Sequence, residues 1–181
     1  MMLDKTYRKF PIVVDLDGTL IFDEISCKAF KRLIVTRPFK LLLAPLWLMK
    51  GVAYFKKRVA NLVYIDPARL NYNPKVLQFI KSHQGQEIIL ATGADQKYAH
   101  VVARFLKLFH HVIASDGRVN CVSHHKAERL IRKYGKSRYI YLGNSSQDLA
   151  VWKDSLFAVA VNAPKGVLKD LAKLNVPYKI L

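Results

Sequence analysis

Two aspartates one residue apart, Asp15 and Asp17, close a short apolar run, Pro11 to Val14, and are followed at once by Gly18 and Thr19. On a straight strand both carboxylates would face one side, where they repel unless a cation lies between them. Oxygen-rich sites of this kind suit Mg²⁺. A β-branched run ending in an acidic, glycine-containing loop reads as a buried parallel strand that delivers a site. In open α/β sheets, ligands gather beyond the carboxyl ends of the strands. Three later places carry related chemistry: Thr92-Gly93, Lys126, and Gly143-Asn144 through Asp148.

Placing these groups together requires a regular scaffold, and the chain supplies its signals. After Thr19, Ile25, Phe30, Leu33 and Ile34 follow a helical spacing until Thr36-Arg-Pro38 breaks it. From Pro74 the pattern alternates: a helix with Val76, Phe79 and Ile80, then a strand from Glu87 to Ala91 closing on Thr92-Gly93. Asp95 caps a helix expected to bury Tyr98, Val101, Val102, Phe105 and Leu106. A short strand from His111 to Ala114 leads to a hairpin through Asp116-Gly117. Ala127, Leu130, Ile131 and Tyr134 share a helical face that Gly135 stops. Strands are expected at Arg138–Leu142 and Leu156–Val161. Pro164 opens the last helix, and Val176–Leu181 adds an edge strand. Such strand–loop–helix units bring their loops to one edge of a parallel sheet.

With 181 residues the chain predicts one domain carrying a small insert. A hydrophobic content of 51% excludes a disordered chain. The 30 Lys and Arg against 13 acids give a net charge of +17, which attracts polyanions: phosphorylated substrates, nucleic acid or an anionic membrane. No RRM, KH or zinc-finger signature is present, which disfavours nucleic acid. Cys27 and Cys121 lack any CxxC neighbour, so the expected compartment is reducing and cytoplasmic. The stretch from Met1 to Lys9 is polar and basic, without the apolar centre of a signal peptide.

Leu41 to Phe55 is the unusual segment: LLLAPLWLMKGVAYF holds a single charge, Lys50, and has basic residues on both sides. It is shorter than the ~20 residues of a membrane span. Two readings stand: a buried helix inside an inserted subdomain, or a surface helix dipping into an anionic membrane with Trp47 and Leu48 inserted. The membrane face, with the protein peripheral to it, is the partner expected beside a phosphorylated substrate. The first reading is preferred, because short apolar runs are more often core. Lys56 to Pro67 is expected to follow as a shorter helix.

The sequence DLDGT after an apolar strand resembles the first motif of the haloacid-dehalogenase-like (HAD) phosphatases. Thr92-Gly93, Lys126 and Gly143 to Asp148 resemble the second, third and fourth in order, across nearly the whole chain. The resemblance implies a HAD-like, Rossmann-like parallel sheet flanked by helices. Its core would span residues 1–21 and 73–181, with a helical cap at 22–72. It implies a Mg²⁺-dependent phosphatase in which Asp15 is the nucleophile and Asp17 the general acid and base. Lys126 would balance charge, while Thr19, Thr92, Gly93 and Lys126 would hold phosphoryl oxygens. Asp15, Asp17, Asn144 and Asp148 would hold the metal, Asp148 through water or by pairing with Lys126. Many relatives carry aspartate where Asn144 stands; an amide oxygen still ligates Mg²⁺ but brings no charge. DLDGTLI, PLWLMKG, ATGAD and YLGNSSQDLAVW together resemble the HAD domain found N-terminal to UbiA-type membrane prenyltransferases. That likeness suggests a lipid-linked or membrane-proximal phosphate. A phosphoprotein phosphatase of the same mechanism and a catalytically weak anion- or membrane-binding module are the alternatives. With no membrane domain before Leu181, the chain would be a stand-alone relative or part of a longer protein. The pairs His110-His111 and His124-His125 read as solvated or hydrogen-bonded, since adjacent side chains diverge.

Overall fold

A computed structural model gives the structure of residues 5–181; residues 1–4, the start of the basic N-terminal stretch, lie outside the described residues. Six strands, β1 (Ile12–Val14), β2 (Ile88–Asp95), β3 (His111–Ser115), β4 (Ile140–Gly143), β5 (Phe157–Ala160) and β6 (Tyr178–Ile180), form one sheet in the order β3-β2-β1-β4-β5-β6. Every pairing is parallel. The α-helices in chain order are α1 (Ile25–Thr36), α2 (Ala44–Met49), α3 (Val52–Leu62), α4 (Pro74–Lys81), α5 (Gln96–Leu106), α6 (Ser123–Tyr134), α7 (Leu149–Lys153) and α8 (Lys165–Ala172). The α/β architecture expected from the alternation is therefore the one observed.

Period-2 alternation divides the sheet between two cores. Ile12, Val14, Leu90 and Leu142 face α4 and α5, whereas Val13, Ile89, Tyr141 and Ala158 face α6, α7 and α8. β1 lies between β2 and β4, so the winding reverses direction beside it. That reversal opens a crevice beyond the end of β1, where Asp15 follows.

Several details depart from the sequence reading. β2 does not end at Ala91 but runs on to Asp95, with a register shift against β3 between those residues. Such an irregularity re-aims the backbone beside a site. Asp95 caps α5 as expected, through Lys97 N–H, but Phe105 is exposed and stacks on Tyr72 rather than entering the core. The hairpin expected at Asp116-Gly117 is a single turn. Asp116 Oδ1 accepts the N–H groups of Arg118 and Val119, and among the described residues no strand lies between β3 and α6.

The chain between β1 and α4 leaves and returns side by side, Ile21 bridging Tyr72 and Asn73 N–H donating to Leu20 O. The Leu41–Phe55 run is not one helix. A 3₁₀ segment at Pro38–Leu43 leads into α2, which stops at Met49; Gly51 (φ +101°) then turns the chain into α3. Pro45 stands in the first turn of α2, where its missing N–H costs nothing, and so does not bend a longer helix. Of residues 38–49 only Trp47 is buried. The preferred reading, an apolar core helix, is thus corrected: the segment lies at the surface. Trp47 is the exception: it packs inward, 6.4 Å from Phe55 and 5.5 Å from the Arg58 guanidinium, as the core reading expects and the membrane-inserted one does not. No helix among the described residues is long and apolar enough to cross a membrane.

These placements separate two substitutions. Trp47→Ser should cost about 3 kcal/mol or more of stability, as large-to-small changes in cores do. Met49→Ser, at a position 83% exposed, should stay within about 0.5 kcal/mol. Urea melts of both proteins check this; equal losses would contradict the inward placement of Trp47.

Candidate functional site

The loop after β1 sets the floor of the site. Asp15 N–H donates to Leu142 O at 3.0 Å, which fixes the residue between β1 and β4. Gly18 follows with φ +72°, a conformation that side chains disfavour, and a Cβ there would run into the Asn144 amide. The tight approach seats Asn144 against the loop carrying both aspartates. Asp17 Oδ1 accepts the Ile25 N–H at 2.7 Å, which holds its carboxyl at the N-terminus of α1.

Lys126 and Asp148 form the buried polar centre. Lys126 Nζ donates to Asp15 Oδ1 and to the Tyr141 hydroxyl, both at 2.7 Å, and lies 3.6 Å from Asp148 Oδ1. The Tyr141 hydroxyl donates in turn to Asp148 Oδ1 at 2.6 Å. Asp148 Oδ2 accepts from Asn144 N–H, Ser145 N–H and the Ser145 hydroxyl, and so shapes the loop after β4. Both Asp148 oxygens are thereby engaged by the protein. The pairing with Lys126 is the observed member of the two roles expected for Asp148.

Burial dominates the electrostatics. It pushes the Asp15 carboxyl up to about 7, Lys126 opposing the rise and Asp148 adding to it. It pushes Asp17 up to about 6 against the Ile25 N–H. Burial would lower the Lys126 ammonium, yet Asp15 and Asp148 outweigh it and hold the group well above its ordinary range. The centre therefore keeps a fixed positive charge beside two carboxyls that burial discourages from ionising.

A cleft of roughly 430 Å³ opens over this floor, lined by Asp15, Asp17, Gly93, Lys126, Asn144 and Asp148 among others. Six of the eight residues expected from sequence thus converge. Thr19 and Thr92 do not line it; both are fully buried. Thr19 Oγ1 reaches Asn144 Oδ1 at 3.4 Å, and Thr92 Oγ1 accepts the Ala94 N–H at 2.9 Å. Thr19 thus supports Asn144, which reaches the cleft, whereas Ala94, the partner of Thr92, is buried behind it.

Three residues escaped the sequence reading. Lys56, on α3, extends into the cleft and donates to Gly93 O at 2.8 Å and Asn120 Oδ1 at 2.9 Å. Burial lowers its ammonium, with Asp17 and Glu24 opposing. Its signal was a lysine in register with Val59 and Ala60, on the apolar side of a helix. Tyr141 sits on the alternation of β4 that faces α6, where a hydroxyl needs a partner. Asn120 gave no local signal. The histidines are hydrogen-bonded or paired where expected: His110 Nδ1 accepts Ile88 N–H, and His111 and His125 lie beside Glu87 and Glu128.

Among the described residues no three His, Cys, Asp or Glu side chains converge as a metal site. Donor type still fits a hard cation, since the Asp15 carboxylate, the Asn144 amide oxygen and the backbone carbonyl of Asp17 are all oxygens beside one cleft.

No family model matches the chain. It is 32% identical over 162 residues to the uncharacterized protein y4nM of Sinorhizobium fredii, covering 88% of this chain and 31% of that one. The chain therefore spans about a third of that relative's length. Solved structures share its fold at low identity. A HAD family hydrolase of Salmonella enterica serovar Typhi superposes with a TM-score of 0.63 at 14% identity, covering 88% of this chain and 64% of that one. A protein of unknown function from Bordetella pertussis gives 0.68 at 14% identity, covering 94% and 98%. A phosphoserine phosphatase solved as a phospho-aspartyl intermediate analogue gives 0.59 at 13% identity, covering 95% and 93%.

Proposed function

We propose, for a chain that has the fold of the HAD-family hydrolases, that it hydrolyses phosphomonoesters through an aspartyl-phosphate, with Mg²⁺ as cofactor. The observation carrying this reading is the Asp15 carboxyl on the cleft floor, 2.7 Å from a buried ammonium and two residues before a second carboxyl. In the first half-reaction an Asp15 oxygen attacks phosphorus and the bond to the ester oxygen breaks. Asp17 gives that leaving oxygen its proton. In the second, Asp17 takes a proton from water, the water oxygen attacks phosphorus, and the bond to Asp15 breaks to release phosphate. The rise of the Asp17 carboxyl to about 6 favours a group that both gives and accepts a proton. Lys126 keeps Asp15 oriented and offsets the negative charge gathering there. Asp15, the Asp17 carbonyl and Asn144 would hold Mg²⁺, which when bound neutralises phosphoryl charge.

The helices between β1 and α4 act as a cap in this reading, with residues 22–72 as its bounds, and Lys56 is its cation over the cleft. A phosphate carried on a lipid or held at a membrane is the preferred substrate class. Support comes from the exposed apolar surface of the cap and from the likeness to the domain preceding UbiA-type prenyltransferases. An aryl phosphate assay tests the reaction: EDTA should reduce turnover to background and added Mg²⁺ restore it. Folded protein without turnover at any Mg²⁺ concentration would favour a binding module, the reading that the neutral Asn144 supports. Asn144→Asp adds a charge to the metal donors, so turnover at limiting Mg²⁺ should equal or exceed wild type. Complete loss would mean that the site is built around a neutral ligand.

A further inference from the structure

Nine of the fourteen large exposed apolar side chains among the described residues fall within 34–52. Val35, Phe39, Leu42 and Met49 are 78–85% exposed, joined by Leu46 and Leu48 at half or more. Scattered single apolar residues need no explanation, but such a concentration marks an interaction surface. Its rim is of one sign. Lys31, Arg32, Arg37, Lys40 and Lys50 are all exposed, none forms an ion pair among the described residues, and no Asp or Glu occurs between Ile25 and Ile65. A second copy of the chain would set this basic rim against itself. An anionic surface with an apolar interior matches both features.

Val52 ties this surface to the cleft. It is half exposed at the start of α3 and lines the cleft that holds Asp15 and Asp17. It also lines a neighbouring cleft of about 480 Å³ that carries Arg118, Arg129 and Arg132. The apolar surface therefore reaches the cleft mouth, and more cations lie on the far side.

We propose that Ile34 to Val52 is a docking face for an anionic lipid bilayer, inserting Val35, Phe39, Leu42 and Met49 while Arg37, Lys40 and Lys50 meet the headgroups. The face differs from the expected one in its bounds and in leaving Trp47 inside. Its bearing on substrate choice rests on the proposed hydrolase reading; the binding itself does not.

Flotation with vesicles of phosphatidylcholine, with and without phosphatidylglycerol, tests the face. Wild type should float with the anionic vesicles, weakly or not at all with the neutral ones, and less at high salt. The triple variant Phe39→Ser/Leu42→Ser/Met49→Ser should bind at least ~tenfold more weakly with an unchanged melting temperature. Should that protein melt early, Arg37→Glu/Lys40→Glu serves instead, and it should lose anionic binding alone. Full binding by a folded variant of either kind overturns the proposal, as does an absence of wild-type binding. A dimer in light scattering that the triple variant dissolves would give the face to a second copy, and this too overturns it. Asp15→Asn should float like wild type. A failure of hydrolysis would thus leave the vesicle result standing, and a failure of flotation would leave turnover of a soluble ester untouched.

Discussion

The Asp15→Asn protein should fold as wild type does and lose turnover by on the order of 10⁴-fold or more, the scale on which removing a nucleophile acts. The amide is nearly isosteric, but it cannot attack phosphorus as a carboxylate oxygen does. Stability should hold, because Asp15 is a carboxyl that burial already discourages from ionising, and Lys126 keeps Asp148 and Tyr141 as partners. Asp17→Asn should fail differently. An activated aryl phosphate leaves without needing a proton, so the first half-reaction survives, but no group then takes the proton from water. Stopped-flow should show a burst of phenolate near one equivalent of enzyme, followed by a much slower rate. Wild-type steady turnover by Asp15→Asn would remove Asp15 from the role of nucleophile. A steady Asp17→Asn rate without a burst would move the general base elsewhere.

What the sequence made legible was the part governed by short-range pattern. β1 and its two aspartates are written in four apolar residues followed by an acidic glycine loop. The alternation of Ile12, Val13 and Val14 assigns faces before any partner is known. The cleft residues at the ends of β1, β2 and β4 follow from topology, because parallel strands deliver their loops to one edge. Thr19 and Thr92 lie behind the cleft for a physical reason. Their hydroxyls are positioned by backbone turns, and their burial depends on how Asn144 and Ala94 close over the loop. Lys56 was hidden because its partners, Gly93 and Asn120, lie 37 and 64 residues away. The apolar run from Leu41 was ambiguous at its root. Apolar composition states what a segment avoids in water, not whether protein or another phase covers it. The break at Gly51 and the inward turn of Trp47 leave the rest of Pro38–Met49 largely uncovered by this chain.

The second large effect is expected at Lys126, where charge and fold meet. The residue is 4% exposed, and its ammonium lies 2.7 Å from Asp15 and 3.6 Å from Asp148, two acids that would otherwise share one buried centre without a cation. Lys126→Met keeps the length of the stem and removes the charge, leaving Asp15 and Asp148 without their cation. Breaking a buried pair from one side typically costs about 3–5 kcal/mol. Tyr141→Phe takes away only the hydroxyl that accepts from Lys126 and donates to Asp148, and should cost about 1–3 kcal/mol, the penalty for partners left unsatisfied. Urea melts in EDTA, which excludes metal, read both values. Turnover should fall with Lys126→Met by roughly 10²-fold or more even where the protein is folded, because a preorganised cation beside the phosphoryl group is gone. Lys126→Arg should not restore it, since a planar fork cannot occupy the place of a point charge between three oxygens. The decisive protein is the double variant Asp15→Asn/Lys126→Met. If the ion pair is the source of the loss, removing the stranded carboxyl should return part of the stability lost by Lys126→Met alone, a coupling that independent sites do not show. Strict additivity of the two changes would mean that Lys126 holds the fold by packing, with Asp15 a bystander.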